Sequence, residues 1–264
     1  MIKQTIGICS WSLKNNLSEI TAVLQETGVR SLHLDVAVAD EFAEAIQQNG
    51  WSISATMLSF PQEDYSTLET IRETGGIMPD DVWESNRLLV VDAIEKTAKL
   101  GVKDLTFHVG FIDHNDVVGY QKFTKRILEL ADIAQENGVM ILMETGQEVA
   151  ADLRHCLEEL NHSALGVNFD PANMILYGKG DPIAAVDVLA PWIKHVHIKD
   201  ATATTQPGTW GTEVPWGDGE VGHKTFIQAL DKMGFTGAVA VEREAGETRA
   251  ADIKLAIQRL GEEE

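Results

Sequence analysis

Cysteine is almost absent: Cys9 and Cys156 are the only two in 264 residues. Two thiols in a chain of that length make no disulfide framework and fit a reducing compartment. Basic residues are also scarce, with 21 Lys and Arg against 41 Asp and Glu and a net charge of −20. Nucleic acid is a dense polyanion normally held by basic stripes, so this balance argues against nucleic acid and against anionic membrane surfaces as partners. A small anion is a separate case, because one local Lys or Arg can hold it. No run approaches the ~18 apolar residues of a membrane span, and the opening MIKQTIGICSWSLKNN is too polar for a signal peptide. A cytoplasmic protein is expected. No Pro/Ser-rich linker or low-complexity stretch divides the chain, and no GxGxxG follows the first apolar run. The terminal GEEE reads as a solvated end.

What the chain does contain is a repeating unit: an amphipathic stretch, a Gly, then a short apolar run. It occurs at 27–36, 49–58, 100–110, 137–145 and 233–242. The Gly supplies the left-handed residue that ends a helix before a strand begins. Adding TIGICSW (5–11), SALGVNFD (163–170) and WIKHVHIKD (192–200) gives eight candidate strands. Helical patterns lie near 17–27, 38–48, 82–99, 118–136, 148–160, 181–190, 223–233 and 247–260. Eight strand–helix alternations predict a parallel sheet closed into a single (β/α)8 TIM barrel over 1–264. An open doubly wound sheet is the alternative, without a nucleotide fingerprint to support it.

Side-chain parity agrees, since neighbours on a strand point to opposite faces. Val196 and Ile198 oppose His195 and His197; Val239 and Val241 oppose Ala240, Glu242 and Glu244; Leu105, Phe107 and Val109 oppose Thr106 and His108. The larger apolar set packs on the helix ring and the polar set faces the barrel interior. Two connections are long, 59–80 and 201–222. Both leave from the C-terminal mouth, and the second carries Trp210 and Trp216. They read as lids or as a homo-oligomer contact.

Four metal-type side chains end four successive apolar runs: Glu144 in VMILMET, Asp170 in ALGVNFDP, His197 in IKHVHIKD and Glu242 in GAVAVERE. Three carboxylates brought together cannot all stay ionised without compensation, and a divalent cation is the simplest source. Oxygen ligands plus one imidazole suit Mn²⁺ best, with Mg²⁺, Co²⁺ or Zn²⁺ as alternatives. Glu244 shares the parity of Glu242 and is its rival. His108 faces the mouth as a substrate contact or a structural histidine. His195, one layer below His197, reads as a support behind the ligands or as packing. Lys199 holds a substrate oxygen or pairs with Asp200, and Trp11 lines a sugar face or packs in the barrel.

The ILMET, NFDPANMILYGKGDP, HVHIKDA and AVEREAG stretches resemble the xylose-isomerase-like superfamily, within it the ketose 3-epimerases, hydroxypyruvate isomerases and inosose dehydratases. The resemblance covers essentially the whole chain. It implies a (β/α)8 barrel holding one divalent metal through Glu144, Asp170, His197 and Glu242, with Glu144 and Glu242 as the acid/base pair on a small carbohydrate. Two departures stand out. Many ketose 3-epimerases have a His where this chain has Asn173, and the second glutamate expected after the strand-5 ligand is replaced by Gln147 and Glu148. Asn173 and Gln147 are therefore candidate substrate contacts. The expected reaction is isomerisation or epimerisation of a keto sugar through an enediolate. A lyase on the same site is the nearest alternative. A multi-zinc endonuclease would need further histidines, a sugar-binding barrel would lack turnover, and a Schiff-base aldolase on Lys199 would leave the acidic cluster idle.

Overall fold

A computed structural model describes residues 3–262; Met1, Ile2 and the last two terminal glutamates, Glu263 and Glu264, lie outside the described residues. Strands β1 (Thr5–Cys9), β2 (Ser31–Asp35), β3 (Ser52–Met57), β4 (Asp104–Phe107), β5 (Met140–Glu144), β6 (Leu165–Phe169) and β7 (Ile193–Ile198) lead to a short ribbon, β8 (Asp200–Thr202) and β9 (Thr212–Val214), and then to β10 (Ala238–Val241). The ring order β1-β10-β7-β6-β5-β4-β3-β2 closes a parallel barrel of the (β/α)8 type. Around it run α1 (Leu17–Thr27), α2 (Ala39–Asn49), α4 (Trp83–Lys99), α5 (Val117–Glu136), α6 (Ala150–Leu160), α8 (Pro182–Leu189), α9 (His223–Lys232) and α10 (Arg249–Glu262), with short α3 (Leu68–Thr74) and α7 (Pro171–Leu176) inside loops. The eight long helices fall where the repeat places them. Gly28, at φ 74°, ends α1 and returns its N–H to Leu24 O, the role the repeat assigns to its glycines.

Parity divides the barrel as expected. Leu105, Phe107, Val196, Ile198, Val239 and Val241 are buried in the apolar layer between strands and helices. Below the mouth the interior carries a hydrogen-bonded set of polar side chains. His33 Nε2 lies 2.9 Å from Thr106 Oγ1, and His195 bonds Asn168 Oδ1 at 2.9 Å and Ser54 Oγ at 3.0 Å. His195 is thus a packing residue of the lower layer.

The two long connections both rise from the C-terminal mouth. The first contains α3, started by a capping box between Thr67 and Thr70. The second folds as the antiparallel β8–β9 ribbon. Asp200 anchors it: its carboxylate accepts the N–H groups of Ala201, Gly217, Gly219 and Val221 at 2.9–3.1 Å. Those four bonds occupy the carboxylate, which is why the alternative of a Lys199–Asp200 pair is not formed.

Candidate metal centre

The ring order makes β10, β7, β6 and β5 consecutive neighbours, so four residues scattered over a hundred positions end on one arc of the mouth. Glu144 closes β5, Asp170 follows β6, His197 is in β7 and Glu242 follows β10. One donor atom from each lies within 4.8 Å of the others, and all four residues are buried. His197 Nδ1 is central, 3.1 Å from Glu144 Oε1, 3.4 Å from Glu242 Oε2 and 3.5 Å from Asp170 Oδ2. Glu144 and Glu242 stand three places apart around the ring of eight, close to the across-the-barrel placement expected from sequence. Glu242 stands in the cluster; Glu244 points to its rim and pairs with Lys199 at 2.7 Å.

Each donor is held from behind. Asp170 Oδ1 accepts Asn173 N at 2.9 Å, capping α7, with Pro171 at the first helical position where no N–H is needed. That leaves Asp170 Oδ2 for the cluster. Asn173 Nδ2 donates to Glu144 Oε1 at 3.2 Å. It comes this near because Gly146, at φ 137°, has no Cβ; one built there would lie 2.5 Å from Asn173 Cβ. Trp11 Nε1 donates to Glu242 Oε1 at 2.6 Å. On the far side of His197, Nε2 lies 3.0 Å from His33 Nδ1. An Nε2–H donated to His33 leaves the Nδ1 lone pair facing the three carboxylates, the tautomer a metal ligand requires.

Burial opposes ionisation of all three carboxyls, but their neighbours divide them. Burial leaves Asp170 above the usual carboxylate range, despite Lys199 at 3.8 Å. Against the same burial, His108 and His197 bring Glu144 below its ordinary value, and His197 with Lys199 brings Glu242 far below. In turn the carboxylates overcome the burial of His197 and raise it far above an ordinary imidazole. A proton and a cation compete for that same Nδ1 lone pair.

The donor set fits a divalent cation. Glu144 Oε2, Asp170 Oδ2 and His197 Nδ1 are buried without a hydrogen-bond partner, a costly arrangement that hard oxygen and imidazole coordination would relieve. Above them opens a cavity of about 580 Å³. Trp11, His108, Asn173 and Lys199 line it, with His108 Nε2 3.7 Å from Glu144 Oε2. Gln147 is buried against Tyr177 and Gly75 and is not part of the wall. Both long loops contribute: Phe60, Glu63 and Tyr65 from one, Trp210 and Glu213 from the other. Trp216 instead packs on Phe226 and His223, away from the cavity. Sequence reading missed Glu63, Tyr65, Tyr177 and Glu213. They stand on loops, just after short α7 and on the three-residue strand β9, where no periodicity assigns a facing direction.

Known proteins share this frame. A xylose isomerase domain protein from Planctomyces limnophilus is 27% identical, with a TM-score of 0.89 over 98% of this chain and 96% of that one. A D-tagatose 3-epimerase-like protein shares the fold at 17% identity, with a TM-score of 0.77 over 98% and 97% of the two chains. An inosose dehydratase from Lacticaseibacillus casei is 24% identical over 158 residues, 53% of this chain and 52% of the relative. The chain spans about half the length of the curated relatives it matches. The sequence profile of the xylose isomerase-like TIM barrel family matches residues 18–262, and the chain belongs to that family.

Proposed function

We propose that this protein is a divalent-metal-dependent isomerase or epimerase of a small keto sugar or related hydroxy-carbonyl compound, working through an enediolate. One observation carries the reading: four buried donors on four adjacent strands converge at the floor of a cavity, and Glu144 Oε2, Asp170 Oδ2 and His197 Nδ1 among them have no hydrogen-bond partner. Glu144, Asp170, His197 and Glu242 would hold one cation, Mn²⁺ by ligand type, with Mg²⁺, Co²⁺ or Zn²⁺ as substitutes. When bound, such a cation polarises a carbonyl and stabilises negative charge on its oxygen.

Removal of the proton beside the carbonyl falls to Glu144 or Glu242, and its return to the other. Return to the opposite face of the same carbon gives the epimer; return to the former carbonyl carbon gives the isomer. The bonds from Asn173 to Glu144 and from Trp11 to Glu242 fix the two carboxylates, so neither must reorient during proton transfer. His108 orients a substrate oxygen and Asn173 contacts a hydroxyl, while Lys199, bonded to Glu242 and Glu244, holds those carboxylates in place.

A second reading, loss of water from the same enediolate, is favoured by Glu63. This residue lines the cavity, and burial raises its carboxyl above the usual range. A protonated Glu63 would give its proton to the departing hydroxyl as the enediolate electrons form the new double bond. Metal-loaded protein tested on a keto-sugar panel separates the readings. Products of unchanged mass support isomerisation or epimerisation, products lighter by one water support the lyase, and no product from any member removes both.

A further inference from the structure

Within the proposed reading, the walls of the cavity carry information about substrate charge. Acidic side chains dominate: Glu63, Glu213 and Glu244 join the ligand glutamates in the lining, and Lys199 is its one permanent cation. That ammonium is already committed. Lys199 Nζ lies 2.8 Å from Glu242 Oε2, 2.7 Å from Glu244 Oε2 and 3.4 Å from Asn173 Oδ1, three acceptors for three N–H bonds. The guanidinium beside Glu213 is committed too, since Arg243 gives Nη1 to Glu213 and Nε to Asp252 at 2.6 and 2.9 Å. A divalent cation would balance two of the three ligand carboxylates, Lys199 offsets Glu244, and Arg243 offsets Glu213. The balance around the cavity is therefore negative before any substrate enters.

From this saturation we infer that the site selects uncharged polyhydroxy carbonyl compounds and rejects their phosphorylated or carboxylated counterparts. An anion would lose its hydration against carboxylates and find no unpaired cationic side chain in the wall, and such like-charge contact weakens binding at least ~100-fold. A neutral sugar meets acceptors suited to hydroxyl groups, with Trp11, Tyr65 and Trp210 presenting rings to its apolar faces. This inference rests on the sugar-isomerase reading but has its own readout.

The test is binding of a hexitol and the matching hexitol 6-phosphate to Mg²⁺-loaded protein by calorimetry; neither ligand carries a carbonyl, so no turnover intervenes. The hexitol should bind at least ~100-fold more tightly at low salt, and added salt should narrow the ratio by screening repulsion. Glu244→Gln, which removes one wall charge and leaves Lys199 a neutral acceptor in its place, should narrow it at least ~10-fold. Equal or tighter binding of the phosphate overturns the inference, as does failure of both ligands to bind. Selective hexitol binding by a protein that turns over no keto sugar would retire the catalytic reading and leave charge selection standing.

Discussion

Asp170 offers a clean perturbation of the cluster because its two oxygens have separate duties. Oδ1 caps α7 through Asn173 N, while Oδ2 faces the other donors without a hydrogen-bond partner. Asp170→Asn keeps an acceptor for the cap, worth about 1 kcal/mol, and replaces the ligand oxygen with an amide that coordinates poorly. Burial leaves the native carboxyl hard to ionise, so its loss removes an expensive charge. Chelator-treated Asp170→Asn should therefore melt within about 2 °C of the chelator-treated parent, or above it. The metal response should differ sharply. A cation at 100 times its dissociation constant stabilises the state that binds it by about 2.7 kcal/mol. For a chain of this size that raises the melting temperature by roughly 5–10 °C. Scanning calorimetry across a Mn²⁺ titration should show the rise in the parent and its loss in Asp170→Asn. A full rise in the variant, or none in the parent at millimolar Mn²⁺, would refute the assignment of Asp170 as a ligand.

Four further outcomes are expected. Glu144→Gln and Glu242→Gln should each lower turnover at least ~10²-fold, the scale of general acid–base assistance, in protein whose metal content is measured alongside. His33→Phe removes the acceptor that orients His197 and should weaken metal affinity about 10–100-fold in a chelator-competition titration, with circular dichroism unchanged. Burial pushes the Glu148 carboxyl up to about 8 from an ordinary 4.5, so between those values the native state holds a proton that the unfolded chain releases. Stability should accordingly fall as pH rises through that window, and urea titrations of Glu148→Gln at pH 5, 6.5 and 8 should show the slope reduced. Asp200→Ala leaves several ribbon N–H groups without their acceptor and should cost roughly 3 kcal/mol by the same titration, with earlier proteolysis within 201–222.

The four-residue cluster was legible because each of its members ends an apolar run, and strand parity left only Glu242 against Glu244 undecided. That choice turned on where the chain goes after β10: Glu242 is buried in the cluster, while Glu244 is half-exposed and held by Lys199. The long helices were legible from their period and from the glycines that end them. Short α7 was not, because six residues beginning at Pro171 show no period, and only the Asp170–Pro171 cap signal marks them. Cavity walls were the least legible part. Glu63 and Tyr65 reach the site through a loop held by α3, and Glu213 through a three-residue strand pairing with β8. Their facing directions depend on tertiary contacts such as the Asp200 anchor. Reading Asp200 as a partner for Lys199 failed for the same reason, since nearby backbone N–H groups claimed its oxygens first.

The central claim is that Glu144 and Glu242 exchange a carbon-bound proton beside a metal-held carbonyl, and solvent isotope exchange tests it most directly. Mn²⁺-loaded protein is incubated with a panel of uncharged keto sugars in deuterated water, and deuterium at carbon is followed by NMR. Incorporation beside the carbonyl of at least one sugar is predicted, lost on chelation and reduced at least ~10²-fold in either Gln variant with metal still bound. Metal-saturated protein that exchanges no carbon-bound proton on any member of the panel would contradict the account.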